Sequence, residues 1–190
     1  MSNPSLSRPT VDDVNKAEKK FDDENGSIEW LLTQLFEKFP DNTGPNEVLL
    51  KTKVLNLLYE TRILAVNAVA QHITSLVNID SCLTAGSPDA VDLIVSVKLG
   101  DKVRNNFSFA TKYCNWHNPA AYAIYDGNVD ACLWCYKKQD SFTTFARQDL
   151  RYSGYPVFLR IVTAFRDFYG LNSFSFKQLD KFLWEKGPEA

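Results

Sequence analysis

PVFLRIVTAFRDFY, residues 156–169, decides the fold class of this chain of 190 residues. Its apolar side chains recur at the 3.6-residue period of an amphipathic helix, and Gly170 follows where such a helix would stop. Downstream, Ser175 caps a last helix over Phe176–Lys186, with Leu179, Phe182 and Leu183 turned inward. Upstream, residues 139–154 read as mixed structure and Asn128–Lys138 as another helix. Residues 119–127 form an extended or turning link. Phe107–His117 is helical and halts before Pro119, because a residue preceding proline is disfavoured in the α conformation.

The same period continues toward the N-terminus. Residues 100–106 read as a polar loop. Residues 90–98 are short and apolar, and their helical neighbours favour helix. Residues 80–89, with Gly86 and Pro88, form a connector. Val66, Val69, Ala70, Ile73 and Leu76 make one stripe on a helix over 66–77, set off by an interruption at Thr61 and Arg62. Asn46 can cap a helix to Tyr59, with Val48, Leu49, Val54, Leu55, Leu57 and Leu58 as buried candidates. Residues 40–45 form a loop. Ser27 caps a helix carrying Ile28, Leu31, Leu32, Leu35 and Phe36, and Asn25-Gly26 breaks it from a charged helix opened by a capping box at Thr10 and Asp13. The expectation is an all-α, irregular multi-helix globular domain over residues 10–190, behind a flexible N-terminus over 1–9. Two small helical lobes around a cleft are its alternative arrangement.

No stretch approaches the roughly 20 apolar residues of a membrane span, and residues 1–10 hold no apolar signal core. The reading is a cytoplasmic chain without membrane contact, whose four cysteines are reduced thiols or metal ligands rather than disulfides. Charge is asymmetric. Residues 1–97 carry 8 basic against 14 acidic side chains, and residues 98–190 carry 13 against 9. A basic C-terminal half can face a phosphate backbone while the acidic half faces away.

Chemistry concentrates between Lys112 and Val129. This stretch holds a lysine on a helix, a crossing started by Pro119, and Asp126 at the mouth of the next helix. A carboxylate there meets free N–H groups and the positive helix end, which keep it ionised. Held rigidly in a partly dry cleft, it can stabilise a developing positive charge. Through Lys112, Pro119, Ile124, Asp126 and Val129 the segment resembles the helix-hairpin-helix DNA glycosylases, specifically their 8-oxoguanine members. Ala123 and Asn128 stand where that family carries a second proline and a histidine.

The resemblance implies a hydrolase that excises a damaged or modified base flipped out of DNA. Asp126 would assist cleavage of the N-glycosidic bond, and Lys112 as nucleophile would add lyase activity. No cofactor is implied. Tyr122, Tyr125 and Trp116 would stack on the extruded base, and Arg104 and Asn105 in the preceding loop would touch DNA phosphates.

Two other readings compete. One is a non-catalytic helical binding or regulatory protein, with a protein or nucleic-acid partner, in which Asp126 only caps its helix. The other is a zinc site from Cys114, His117, Cys132 and Cys135, a C-x2-H followed by C-x2-C. His72 lies on an apolar stripe and reads as a core or rim residue. Nucleotide-phosphate and esterase motifs are absent from the sequence.

Overall fold

The spacing within residues 156–169 becomes a helix over Tyr155–Phe168, with Phe158, Ile161, Val162 and Phe165 buried along one face. Pro156 sits in its first turn, where its missing N–H is no loss. In the computed structural model, which describes residues 6–190, helix is the dominant element. The helices are α1 (Val11–Lys38), α2 (Pro45–Leu58), α3 (Val66–Ser75), α4 (Ile79–Ala85), α5 (Asp89–Val95), α6 (Phe107–His117), α7 (Gly127–Asp140), α8 (Asp149–Tyr152), α9 (Tyr155–Phe168) and α10 (Phe176–Lys186). A two-stranded hairpin, β1 (Ser96–Leu99) and β2 (Lys102–Asn105), follows α5, and a 3-10 turn (Gly187–Glu189) follows α10. The fold is all-α in class. No helix among the described residues is long and apolar enough to cross a membrane.

The chain divides into two compact units. One comprises residues 27–122. Here α2 packs on α3 and α6, and α6 also meets α4 and α5. Its core includes Leu32, Phe36, Val48, Leu55, Ile73, Leu83, Ile94, Phe109 and Tyr113. The other unit comprises residues up to Gly26 together with 123–190. There α7 packs on α10 and the 3-10 turn, and α8 on α9, around Val129, Tyr136, Phe158, Phe165, Leu179 and Phe182. Of the N-terminal segment expected to be flexible, residues 1–5 lie outside the described residues. Leu6 and Pro9 are buried, and the Tyr136 hydroxyl donates to the Ser7 carbonyl at 2.9 Å.

Several boundaries follow their local chemistry. The Thr10 N–H and hydroxyl donate to Asp13 Oδ2, and the Asp13 N–H donates back to Thr10 Oγ1, so aspartate completes the box at the start of α1. Ser175 and Gln178 form a full capping box on α10. α6 spans Phe107–His117, as its sequence indicates.

Other expectations are corrected. No break occurs at Asn25-Gly26: α1 runs 28 residues without interruption. A helical glycine costs only about 1 kcal/mol relative to alanine, less than exposing two new sets of helix-end N–H and C=O groups. Ile28 and Leu31 on that helix are exposed, as is Leu57 on α2. α2 starts at Pro45 with Gly44 as its cap, not at Asn46. The connector over 80–89 is largely helical, because Ile79 and Leu83, four apart, are both buried. Gly86, at φ +68°, ends α4 there.

The helix expected over residues 90–98 stops at Val95, and the loop over 100–106 is mostly strand. β1 and β2 pair antiparallel, with Leu99 opposite Lys102 across a Gly100-Asp101 turn. Gly100, at φ +59°, supplies the left-handed residue a tight hairpin needs. All of β2 is solvent-exposed, so its sequence carries no buried alternation to announce a strand.

Candidate functional site

Within the 27–122 unit, the end of α1, the loop after it, and α2, α4 and α6 surround a buried polar cluster. Lys51 is its centre. On α2 the buried positions are Val48, Lys51, Thr52 and Leu55, so a lysine occupies the apolar stripe of an amphipathic helix. The side chain is wholly buried, and Nζ donates to three oxygens: Phe39 O at 3.0 Å, Asp41 O at 2.9 Å and Asn42 Oδ1 at 2.9 Å. Those three bonds use all three ammonium protons. Burial pulls the Lys51 pKa down to about 8, against the pull of Asp80, Asp41 and Glu47, which favour the charged form.

Asn42, also buried, orders the remaining groups. Its Oδ1 accepts from Lys51 Nζ and from the Tyr113 hydroxyl, the latter at 2.5 Å. Its backbone N–H donates to both Asp80 carboxylate oxygens at 3.1 Å, and its Nδ2 donates to Asp80 Oδ1 at 2.6 Å. The second Nδ2 proton points at His117 Nε2, 3.3 Å away. With the amide oriented by its oxygen's two donors, Nε2 of His117 must accept, and the ring's proton resides on Nδ1. Burial, reinforced by the nearby Lys51 charge, lowers the His117 pKa to about 3, so the imidazole is neutral. Burial pushes the Tyr113 hydroxyl well above its ordinary range, so it stays a donor.

Two members of this cluster, Asp80 and His117, reach the wall of a cavity of about 440 Å³. Thr33, Phe36, Glu37, Pro40, Asp41, Asp80, Leu83, Thr84, Trp116, His117 and Pro119 line it, all within the 27–122 unit. Phe36 and Trp116 lie 6.0 Å apart between ring centroids, and Phe36 meets the His117 ring edge-on at 5.0 Å. Asp80 and His117 therefore bridge the buried network and the open cavity. Hydrogen bonds among buried groups restrain the side chains that make them.

The catalytic, binding and metal-ligating residues expected from the sequence fall elsewhere, with two exceptions. Asp126 caps α7 as expected: one carboxylate oxygen accepts from the Asn128 and Val129 N–H groups at 3.0 and 2.9 Å. Lys112 is 2% exposed in α6, donating to Ser108 Oγ at 3.0 Å with its ammonium 5.4 Å from the Tyr59 ring centre. Lys112 belongs to the 27–122 unit and Asp126 to the other. Tyr122 is buried, its hydroxyl donating to the carbonyls of Cys82 and Ser87. Tyr125 is buried as well, its hydroxyl donating to Asp130 Oδ2 at 3.2 Å and its pKa pushed by burial to about 12. Arg104 and Asn105 are exposed on β2, where Asn105 Oδ1 accepts from the Phe107 N–H. The exceptions are Trp116, whose indole N–H donates to the Tyr59 hydroxyl, and His117. Both line the cavity.

The zinc set does not assemble: among the described residues no three His, Cys, Asp or Glu side chains are grouped as metal ligands. Cys114 is fully enclosed, and burial drives the Cys114 and Cys132 thiols up, away from the thiolate a metal needs. His72 is the rim residue its stripe indicates, with Nε2 2.8 Å from the Leu93 carbonyl.

Lys51, Asn42, Asp80 and Tyr113 were not legible as a site. One signal for them does exist in the sequence: Lys51 stands three residues after Val48 and four before Leu55, inside the stripe that α2 buries.

Fold and site together define a helical domain with a buried polar cluster that opens through Asp80 and His117 on a cavity. Residues 12–121 match the N-terminal domain family HI_0787_N, and the chain belongs to that family. The match spans every residue of the cluster and the cavity. A Haemophilus influenzae relative, named only "Uncharacterized protein", is 36% identical over 149 residues, which is 78% of this chain and 70% of the relative. No solved structure matches the chain.

Proposed function

We propose that this chain is a non-catalytic helical binding protein that takes a small ligand in the cavity above Asn42. The observation that carries this reading is a solvent-connected space of about 440 Å³ whose lining includes Asp80 and His117, both held by the buried hydrogen-bond network of Lys51, Asn42 and Tyr113. Small-molecule sites are concave, pre-formed, mostly apolar and fitted with a few fixed polar groups. Phe36, Leu83, Trp116 and Pro119 supply the apolar walls here, and Asp80 and His117 the fixed polar groups. Binding is favoured over catalysis because the ammonium is locked by three acceptors and the imidazole already spends Nε2 on Asn42. Neither Lys51 Nζ nor His117 Nε2 is poised to exchange a proton with a ligand. Ligand-observed NMR against a broad library of small metabolites tests the proposal, with Trp116 fluorescence as the confirming signal. Saturable binding lost in Trp116→Ala is the expected result. A library without a single binder to the folded protein overturns it.

The glycosylase reading stands as a second proposal, supported by the Asp126 carboxylate at the N-terminus of α7. Lys112 would have to leave Ser108 and the Tyr59 ring to reach a sugar. Incubating duplexes that carry damaged bases with wild type and Asp126→Asn tests it, and base release abolished by the substitution is its expected signature. No release from any duplex removes it.

A further inference from the structure

The cavity carries a charge pattern that names the class of its ligand, an assignment that rests on the binding reading proposed for this site. Three lining residues, Glu37, Asp41 and Asp80, are carboxylates, and none is lysine or arginine. His117 adds no positive charge, because it is neutral down to strongly acidic pH. Among the described residues, no lysine or arginine forms an ion pair with any of the three. Their protein partners are neutral donors: Asn42 for Asp80, and Gln34 Nε2 at 3.3 Å for Glu37. Lys51 is buried and does not line the cavity, and its protons are spent on carbonyl and amide oxygens, so it offsets one charge and offers no donor to the open space.

An anion entering here would meet like charge at each of the three carboxylates. A cation would meet carboxylates and the ring of Trp116, whose face attracts positive charge. The carboxylates do not draw together as metal ligands, which sets a compact divalent ion aside in favour of an extended one. The volume falls within the roughly 300–1,000 Å³ typical of small-molecule sites. We infer that the cavity takes a small organic cation, an amine or guanidine, with its charged end among Glu37, Asp41 and Asp80 and its carbon skeleton against Phe36 and Trp116.

Benzylamine, benzyl alcohol and benzoate share one ring and differ in charge, and agmatine adds a guanidinium. Calorimetric titration of the full chain with these four probes tests the inference. Benzylamine and agmatine are expected to bind one per chain. Their affinity is expected to fall at least about fivefold between roughly 20 and 500 mM salt, because the contacts are partly exposed. Glu37→Gln is expected to weaken both about tenfold, the scale of one lost charge contact. Glu37 is exposed and outside the buried network, so the variant keeps its fold. If benzoate or benzyl alcohol binds as tightly as benzylamine, or if Glu37→Gln leaves affinity unchanged, the cation assignment is overturned while the binding reading stands. If none of the four binds but a neutral or anionic library compound does, the same holds. If neither probes nor library bind, both fall together.

Discussion

Replacing Asn42 with leucine probes the buried polar network most directly, because the two side chains have nearly the same size and differ in polarity. The Asn42 side chain accepts from Lys51 and Tyr113 and donates to Asp80 and His117. The losses are unequal. Lys51 Nζ already lies 3.4 Å from His117 Nε2, so the proton it loses finds a replacement acceptor nearby. Asp80 keeps the backbone N–H of residue 42 and some water, so its lost bond is worth about 1 kcal/mol. The Tyr113 hydroxyl has no such recourse in a fully buried ring, and an unpaired buried donor costs about 1–3 kcal/mol.

The sum is a destabilisation of about 3 kcal/mol, or a fall in Tm of about 6–12 °C for a chain of this size. Urea unfolding followed by circular dichroism and tryptophan fluorescence measures it. The decisive control is Tyr113→Phe in both backgrounds. In wild type it removes a formed bond and costs about 1 kcal/mol, whereas beside leucine it removes an orphan and restores about 1 kcal/mol. Additivity within about 0.5 kcal/mol would refute the claim that the network is coupled.

Stability should also depend on pH through His117. Its folded pKa, about 3, lies below the unfolded value of 6.5, so the unfolded chain binds the extra proton between these values. The contribution is therefore fully present above pH 6.5 and lost as pH falls toward 3, and His117→Gln should flatten the wild-type slope of urea midpoint across that window. Asp126→Ala should cost about 1 kcal/mol by removing the α7 cap, with Asp126→Asn recovering most of it in the same assay. Gly187→Ala should cost about 1–3 kcal/mol, since a new Cβ would lie 2.4–2.6 Å from Asn128 Cβ, Cα and O and force the 3-10 turn off α7. A Tm unchanged from wild type would contradict that close approach.

Elements whose ends are set by their own side chains could be read directly. Thr10 with Asp13, Ser175 with Gln178, and Pro119 after α6 each settle a boundary through hydrogen bonds or sterics within a few residues. Asp126 as a helix cap was legible for the same reason. Where the outcome turns on a balance of costs or on a pairing partner rather than on one residue's preference, local signals misled. Gly26 reads as a breaker yet lies within α1, and β2 exists only because β1 pairs with it.

The all-helical class and the capped ends of its helices follow from the order of residues along the chain, because a helix satisfies its backbone within a four-residue neighbourhood. The cavity and the polar network beside it do not. Asn42 and His117 stand 75 positions apart, Asn42 and Tyr113 71, and Lys51 and His117 66, so no periodicity or spacing connects them. Only the packing of α2, α4 and α6 in one unit brings their polar atoms within hydrogen-bond reach. Burial there lowers the pKa values of Lys51 and His117, a property of the assembled surroundings rather than of either residue.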